Sequence, residues 1–338
     1  MRKKILIVFL FIVCVIVAYA ANGIIKNKKV AKIETAQATK IRIGWQIPWA
    51  TEGQLAQILK QTDILKNNGL EPDFKGFSSG APLNEAALAG GVDVIFTADQ
   101  PAATLLSKNQ NWKIIGRLMY NRVSLYVPPM SSIKSVSDLK NKTVAMPFGA
   151  AAQRMALKAE ADAGLDPKKD VNNINLGIYE QSDLVRDKNA VKWGEIDAMA
   201  GFDPTPAIFE DKGLVRNLEV GKIISVILMS DKFIKENPEA PINFLRSFRD
   251  AYSYYKNNIE QANQWFISEA KLSVTPKALE ISAAIEPNLV SGSEIRLGFT
   301  DEDYKIMQEA ADFIFDQNLV KTKINMKDYI DLSYLDKL

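Results

Sequence analysis

Short stretches of alternating apolar and polar residues recur along the chain. Between them lie stretches with apolar residues every three or four positions. Residues 41–45 (Ile41-Arg42-Ile43-Gly44-Trp45) alternate and predict a strand. Over 53–68, Leu55, Ile58, Leu59 and Leu65 share one helical face, and Gly69 stops that helix. Strands are predicted at 71–77, 92–96 and 114–118, and helices at 82–89 and 100–108, the latter opened by Pro101. The rhythm restarts with a strand at 124–127, a short turn at 137–139, a strand at 143–146 and an alanine-rich helix at 150–163 that Gly164 caps. Strands at 175–178, 196–201 and 223–228 alternate with helices at 181–188 and 206–212. Helices then dominate, at 242–257, 260–269, 276–285 and 301–317. Alternation of this kind indicates mainly parallel sheets covered on both faces. Two such units in series predict two similar lobes.

The first forty residues differ. Arg2, Lys3 and Lys4 precede an unbroken apolar run at 5–18, and Ala18-Tyr19-Ala20 places small residues where a signal peptidase reads them. Residues 1–21 therefore read as a signal peptide or as a retained N-terminal membrane anchor. Either one puts the rest of the chain outside the cytoplasm, in the periplasm or on the outer face of the cytoplasmic membrane. Residues 22–39 are polar and Lys-rich and read as a linker.

Composition narrows the chemistry. The chain of 338 residues is 47% hydrophobic and 24% charged, an ordinary globular profile with length for about two domains. The formal net charge is +2; loss of Arg2, Lys3 and Lys4 with the leader takes it to −1. No basic run follows, so nucleic acid is not an expected partner. Histidine is absent, which excludes Ser-His-Asp triads, His-based general bases and most zinc and copper sites. The lone cysteine, Cys14, lies within the leader, so the remaining domain has no thiol. No metal, cofactor or catalytic residue is expected.

In open α/β sheets, ligands bind beyond the carboxyl ends of the strands. The segments there combine small residues, an aromatic and one or two polar groups, as a small-molecule cleft requires. They supply Gln46, Trp49, Ser79, Gly80, Thr97, Asp99 and Gln100 from the first unit, and Phe148, Gly149, Ala150, Ala151, Gln153, Phe202 and Asp203 from the second. Around Gly149, tiny residues at a helix start would let an anionic group reach free backbone N–H groups; equally, any strand-to-helix turn favours them. Asp99 and Asp203 fit a ligand amine, or a helix N-cap. One of Trp45 and Trp49 is expected in the cleft and the other in the core. Trp193 and the stripe Phe244, Phe248, Tyr252 and Tyr255 read as core. Arg122 fits either a ligand acid or a hinge salt bridge.

Taken in order, these segments resemble the aliphatic-sulfonate, taurine and nitrate binding proteins of ABC transporters, within the wider family that includes the THI5-like pyrimidine-precursor binders. The passages that carry the resemblance are "IRIGWQIPWA", "SSGAPLNEAALAGGVDVIFTADQPAA", "SIKSVSDLKNKTVAMPFGAAAQRMALKAEADAGLDPKKDV" and "GEIDAMAGFDPTPA", with "LMSDKFIKENPEAPINFLRSF" and "YIDLSYLDKL" in the tail. The resemblance spans about residues 40–338. It implies an α/β, two-lobed periplasmic-binding-protein fold of type II, with helices on both faces of each sheet and a two-strand hinge. Lobe 1 would comprise 40–123 plus 229–338 and lobe 2 would comprise 124–228. It further implies a monomer that closes on a small organic ligand, a sulfonate, taurine-like or other nitrogen or sulfur compound, and delivers it to ABC permease subunits driven by a cytoplasmic ATPase.

The match departs from the sulfonate pattern in two places. Phe202 stands where sulfonate binders usually have tryptophan. Ala150, Ala151, Ala152 and Gln153 stand where they usually have Ser or Thr and then a histidine. Hydroxyl donors are missing, which leaves room for a carboxylate, an amine or a neutral heterocycle. The family's pyrimidine synthase consumes a histidine that this chain lacks, so an enzyme is not expected. The alternatives are a membrane-anchored ligand-sensing domain and a binder of a heterocycle of the pyrimidine or thiamine-precursor type.

Overall fold

The structure is a computed structural model that describes residues 38–290 and 292–338. The predicted leader lies outside the described residues, and among those described no helix is long and apolar enough to cross a membrane. The elements in chain order are β1 (Thr39–Gln46), α1 (Glu52–Gln61), α2 (Ile64–Asn67), β2 (Leu70–Phe77), α3 (Gly80–Leu88), β3 (Val94–Ala98), α4 (Asp99–Lys108) and β4 (Trp112–Val127). Then come β5 (Thr143–Met146), α5 (Ala151–Asp162), β6 (Asn172–Asn175), α6 (Ile178–Leu184), β7 (Ala198–Phe202), α7 (Thr205–Asp211) and β8 (Arg216–Ser230). Five helices close the chain: α8 (Asp231–Glu236), α9 (Ala240–Asn257), α10 (Ile259–Ala270), α11 (Pro276–Ala283) and α12 (Asp301–Asp316).

The strands run in the order β2-β1-β3-β8-β4-β7-β5-β6. The outer strands on each side are parallel: β1 to β2 and β3, and β5 to β6 and β7. The long strands β4 and β8 are antiparallel and join the two sides. One end of the pair continues into β3 and the other into β7. This is the two-lobed, doubly crossed plan expected from the sequence.

Period-2 side-chain alternation splits the core into layers. Ile41, Ile43 and Trp45 face α1 and the Phe244, Phe248 and Tyr252 stripe of α9, while Ile95 faces Leu105 of α4 and Met307 of α12. In the other half Tyr126, Ala145 and Met199 meet Phe209 and Trp193 on one face, and Leu125, Val144 and Ala200 meet Ala156 on the other. The tail also reaches this second half: Ala278 of α11 joins its cluster, Thr275 Oγ1 donates to Asp211 at 2.6 Å, and Tyr179 OH donates to the Ala270 carbonyl of α10 at 3.2 Å.

Some predicted elements are corrected. Residues 114–118 and 124–127 are parts of one strand, and 223–228 is the centre of the longer β8. Arg117, Asn121 and Arg122 break the apolar run in the sequence, yet each is buried and paired: with Glu286, Ser225, and Asp203 plus Glu210. The predicted strand at 175–178 ends where it was expected to begin. β6 is an edge strand of polar residues (Asn172, Asn173, Asn175), and α6 starts at Ile178, earlier than predicted. The helix predicted over 53–68 breaks after Gln61, where Thr62 Oγ1 bonds back to the Ile58 carbonyl at 2.7 Å. The short α8, capped by the Ser230 hydroxyl, was not anticipated.

Candidate functional site

The strand-to-helix turns of both halves converge on one small cavity. From the first half come Gln46 and Trp49 after β1, Gly80 at the start of α3, and Ala98 and Pro101 around the start of α4. From the second come Ala150 and Ala151 at the start of α5 and Phe202 at the end of β7; Ile223 of the crossing strand β8 completes the wall. The enclosed volume is about 20 Å³, room for about one water molecule. A larger ligand therefore needs the walls to part.

The walls are mostly apolar, with specific polar gaps. Trp49 and Phe202 meet edge to face, ring centroids 6.1 Å apart. Trp49 Nε1 and Gln46 Nε2 are buried in the wall without a hydrogen-bond partner. Next to the lining residues, Thr97 Oγ1 and both amide atoms of Gln100 are also buried and unpartnered. Orphaned buried polar atoms cost about 1–3 kcal/mol each, so a cluster of them calls for a partner. Beneath Gln46, Glu52 Oε1 accepts its backbone N–H at 3.1 Å, and burial pushes the Glu52 carboxyl well above the usual range.

Glycines precede or open two of the three helices that start at the cavity, α3 and α5. A β-carbon on Gly80 would lie 2.6 Å from Pro101 Cγ, so only glycine lets α3 approach this closely. At α5, Gly149 holds φ +81°, the left-handed region. Its N–H donates to Gln153 Oε1 at 2.9 Å, and the Phe148 N–H donates to Asn175 Oδ1 at 2.9 Å. The Ala150 N–H bonds to the Pro147 carbonyl at 3.3 Å. The turn's remaining donors are the N–H groups of Ala151 and Ala152, the first positions of α5.

Of the fourteen residues singled out in the sequence, six line the cavity: Gln46, Trp49, Gly80, Ala150, Ala151 and Phe202. Thr97, Gln100 and Ser79 adjoin it in sequence. The Gly149 N–H is taken by Gln153 Oε1, which leaves the free donors of this turn at Ala151 and Ala152, and Phe148 is 46% exposed. The two acids are corrected. Asp99 is buried against Arg154 at 2.5 Å, and Asp203 is buried beside Arg122 at 3.5 Å. Neither carboxylate is free for a ligand amine. Burial raises both pKa values against the pull of these arginines, Asp203 to about 6. Asp203 Oδ1 also accepts the Ala207 N–H at 3.2 Å, the helix-capping alternative. Arg122 binds Asp203 and Glu210 rather than facing the cavity. Of the two tryptophans, Trp45 packs in the core and Trp49 lines the cavity.

Ala98, Pro101 and Ile223 were not singled out. Ile223 was hidden because the extent of β8 was underestimated, whereas Ala98 and Pro101 flank residues that were. Arg154 was missed too, although it stands one helical turn beyond Ala151, where both can share a face.

A family model described as "NMT1/THI5 like" matches residues 65–262. A Bacillus subtilis (strain 168) protein named for aliphatic sulfonate binding is 24% identical over 347 residues, covering 99% of this chain and 96% of its own. The structure of the alkanesulfonate-binding protein SsuA from Xanthomonas axonopodis pv. citri bound to MOPS superposes with a TM-score of 0.71 at 19% identity, covering 88% of this chain and all of that one. The desulfurization enzyme DSZB has the same fold, with a TM-score of 0.63 at 12% identity and coverage of 88% and 98%. Fold alone therefore does not separate binding from catalysis.

Proposed function

The chain belongs to the NMT1/THI5-like family, and we propose that it is the extracytoplasmic solute-binding component of an ABC importer. In this reading a small organic ligand is captured between the two halves and released to permease subunits coupled to a cytoplasmic ATPase. The protein works as a monomer, exported or anchored outside the cytoplasmic membrane, and it changes no bond in its cargo. The observation that carries this reading is the cavity itself. Its wall is divided between both halves, and Trp49 Nε1 and Gln46 Nε2 stand there buried and unpartnered.

The donor set favours an oxyanion at one end of the ligand. The N–H groups of Ala151 and Ala152 lie at the positive end of α5, and Trp49 Nε1 is a neutral donor on the opposite side. A sulfonate or taurine-like compound fits that set, even without hydroxyl side chains. The facing rings of Trp49 and Phe202 favour a second ligand class, a small planar heterocycle of the pyrimidine type. Ligand closure works because only the closed state lets one molecule touch both walls.

Native mass spectrometry of the purified protein, followed by a thermal-shift screen of alkanesulfonates, taurine, carboxylates and pyrimidines, tests the reading. A ligand bound only by the folded state raises the melting temperature. The expected result is one compound class that does so at one-to-one stoichiometry. Chemical turnover of the bound compound, or no response from any class, would overturn it.

A further inference from the structure

One charged contact crosses the cleft beside the cavity. Asp99 opens α4 at the end of β3, in the half built on β1, β2 and β3; Arg154 belongs to α5, after β5, in the other half. Arg154 Nη2 lies 2.5 Å from Asp99 Oδ2, and the two side chains are 9% and 0% exposed. The carboxylate is held in place by two more donors, the Gln100 N–H at 2.7 Å and the Ile224 N–H of β8 at 3.3 Å. Asp99 adjoins the lining residue Ala98, and Arg154 is one helical turn from the lining residue Ala151. The pair therefore ties together the two turns that form opposing walls.

We propose that Asp99 and Arg154 form a latch that holds the cleft closed in the absence of ligand and positions the start of α5 over the cavity. The proposal rests on the clamp reading only in that the halves are free to part. An arginine one turn from a ligand-facing helix start is otherwise an anion-binding group; here Asp99 takes it out of that role. Removing one member of a buried pair strands the other charge. In a continuous core the stranded charge can reach water only by unfolding. At a cleft, opening is enough. Loss of either partner therefore opens the molecule instead of unfolding it.

The test is made on the ligand-free protein, so it succeeds or fails whether or not a ligand has been found. Spin labels are placed on Glu71→Cys in β2 and Asn172→Cys in β6, with Cys14→Ser, and the distance between them is measured by pulsed electron resonance. Asp99→Asn and Arg154→Met should each shift the distance to longer values while circular dichroism stays native. Arg154→Lys, which keeps the charge, should retain the short distance. The double variant Asp99→Asn/Arg154→Met, with neither charge stranded, should fall between the wild type and the single variants. An unchanged distance in both single variants, or loss of the fold in either, would overturn the latch.

Discussion

Trp49 and Phe202 face each other across the cavity, ring centroids 6.1 Å apart and planes inclined at 68°. One follows β1 and the other ends β7, so the contact exists only because the two halves of the sheet are brought together. The same two turns share a backbone bond, from the Ala50 N–H to the Asp203 carbonyl at 3.2 Å. Closure is thus built from backbone, rings and one ion pair around a small space.

The two glycines at the helix starts are constrained differently. Gly80→Ala places a β-carbon 2.6 Å from the ring of Pro101 and should destabilise the protein by about 1–3 kcal/mol while weakening binding. Gly149→Ala meets nothing within 4 Å, but its φ of +81° costs a non-glycine residue about 1–2 kcal/mol. It should lower stability and leave affinity unchanged. Urea unfolding and calorimetric titration of both variants check the contrast.

Asp203 is scaffold. Its carboxylate is spent on Arg122 and the Ala207 N–H, and Glu210 remains beside Arg122 when it is removed. Asp203→Ala should therefore cost about 1–3 kcal/mol of stability with ligand affinity retained, since its contact to Ala50 is made by the backbone. A loss of affinity at retained stability would return Asp203 to the site.

Glu160 sets a dependence on pH. The carboxyl is buried in α5, Asn173 Nδ2 donates to it at 2.9 Å, and burial raises its pKa from 4.5 to about 7. The native state keeps this proton after the unfolded chain has lost it, so stability falls as pH rises from 4.5 to about 7. Asp203, raised to about 6, contributes the same sign over a lower range. Glu160→Gln should remove the decline between about pH 6 and 7 and weaken, without abolishing, the decline between 4.5 and about 6, where Asp203 still contributes. Melting temperatures across that range, for wild type and variant, measure the difference.

The layers were legible in the sequence because Ile41, Ile43 and Trp45 alternate and because Phe244, Phe248 and Tyr252 repeat at helical spacing. The hinge strand β4 was not legible, because the partners that neutralise its polar residues are 81 to 169 positions away. The cavity was half legible for a related reason. Small and aromatic residues at strand ends reveal a cleft directly, but a carboxylate reveals its role only with its partner. Arg154 is 55 residues from Asp99 and approaches it from the other half. Read without it, Asp99 resembles a ligand group. With it, Asp99 becomes part of the closing contact.

A clamp requires both halves to touch one ligand, and calorimetric titration with the compound found in the screen tests this most directly. Trp49→Phe removes one donor from the first half and keeps the ring. Ala151→Pro removes one N–H from the second half at a first helical position, where proline is tolerated. Each should weaken binding about tenfold, as loss of a hydrogen bond of about 1.4 kcal/mol implies, with the fold retained. Wild-type affinity in either variant would mean that one half binds alone, and would contradict the clamp.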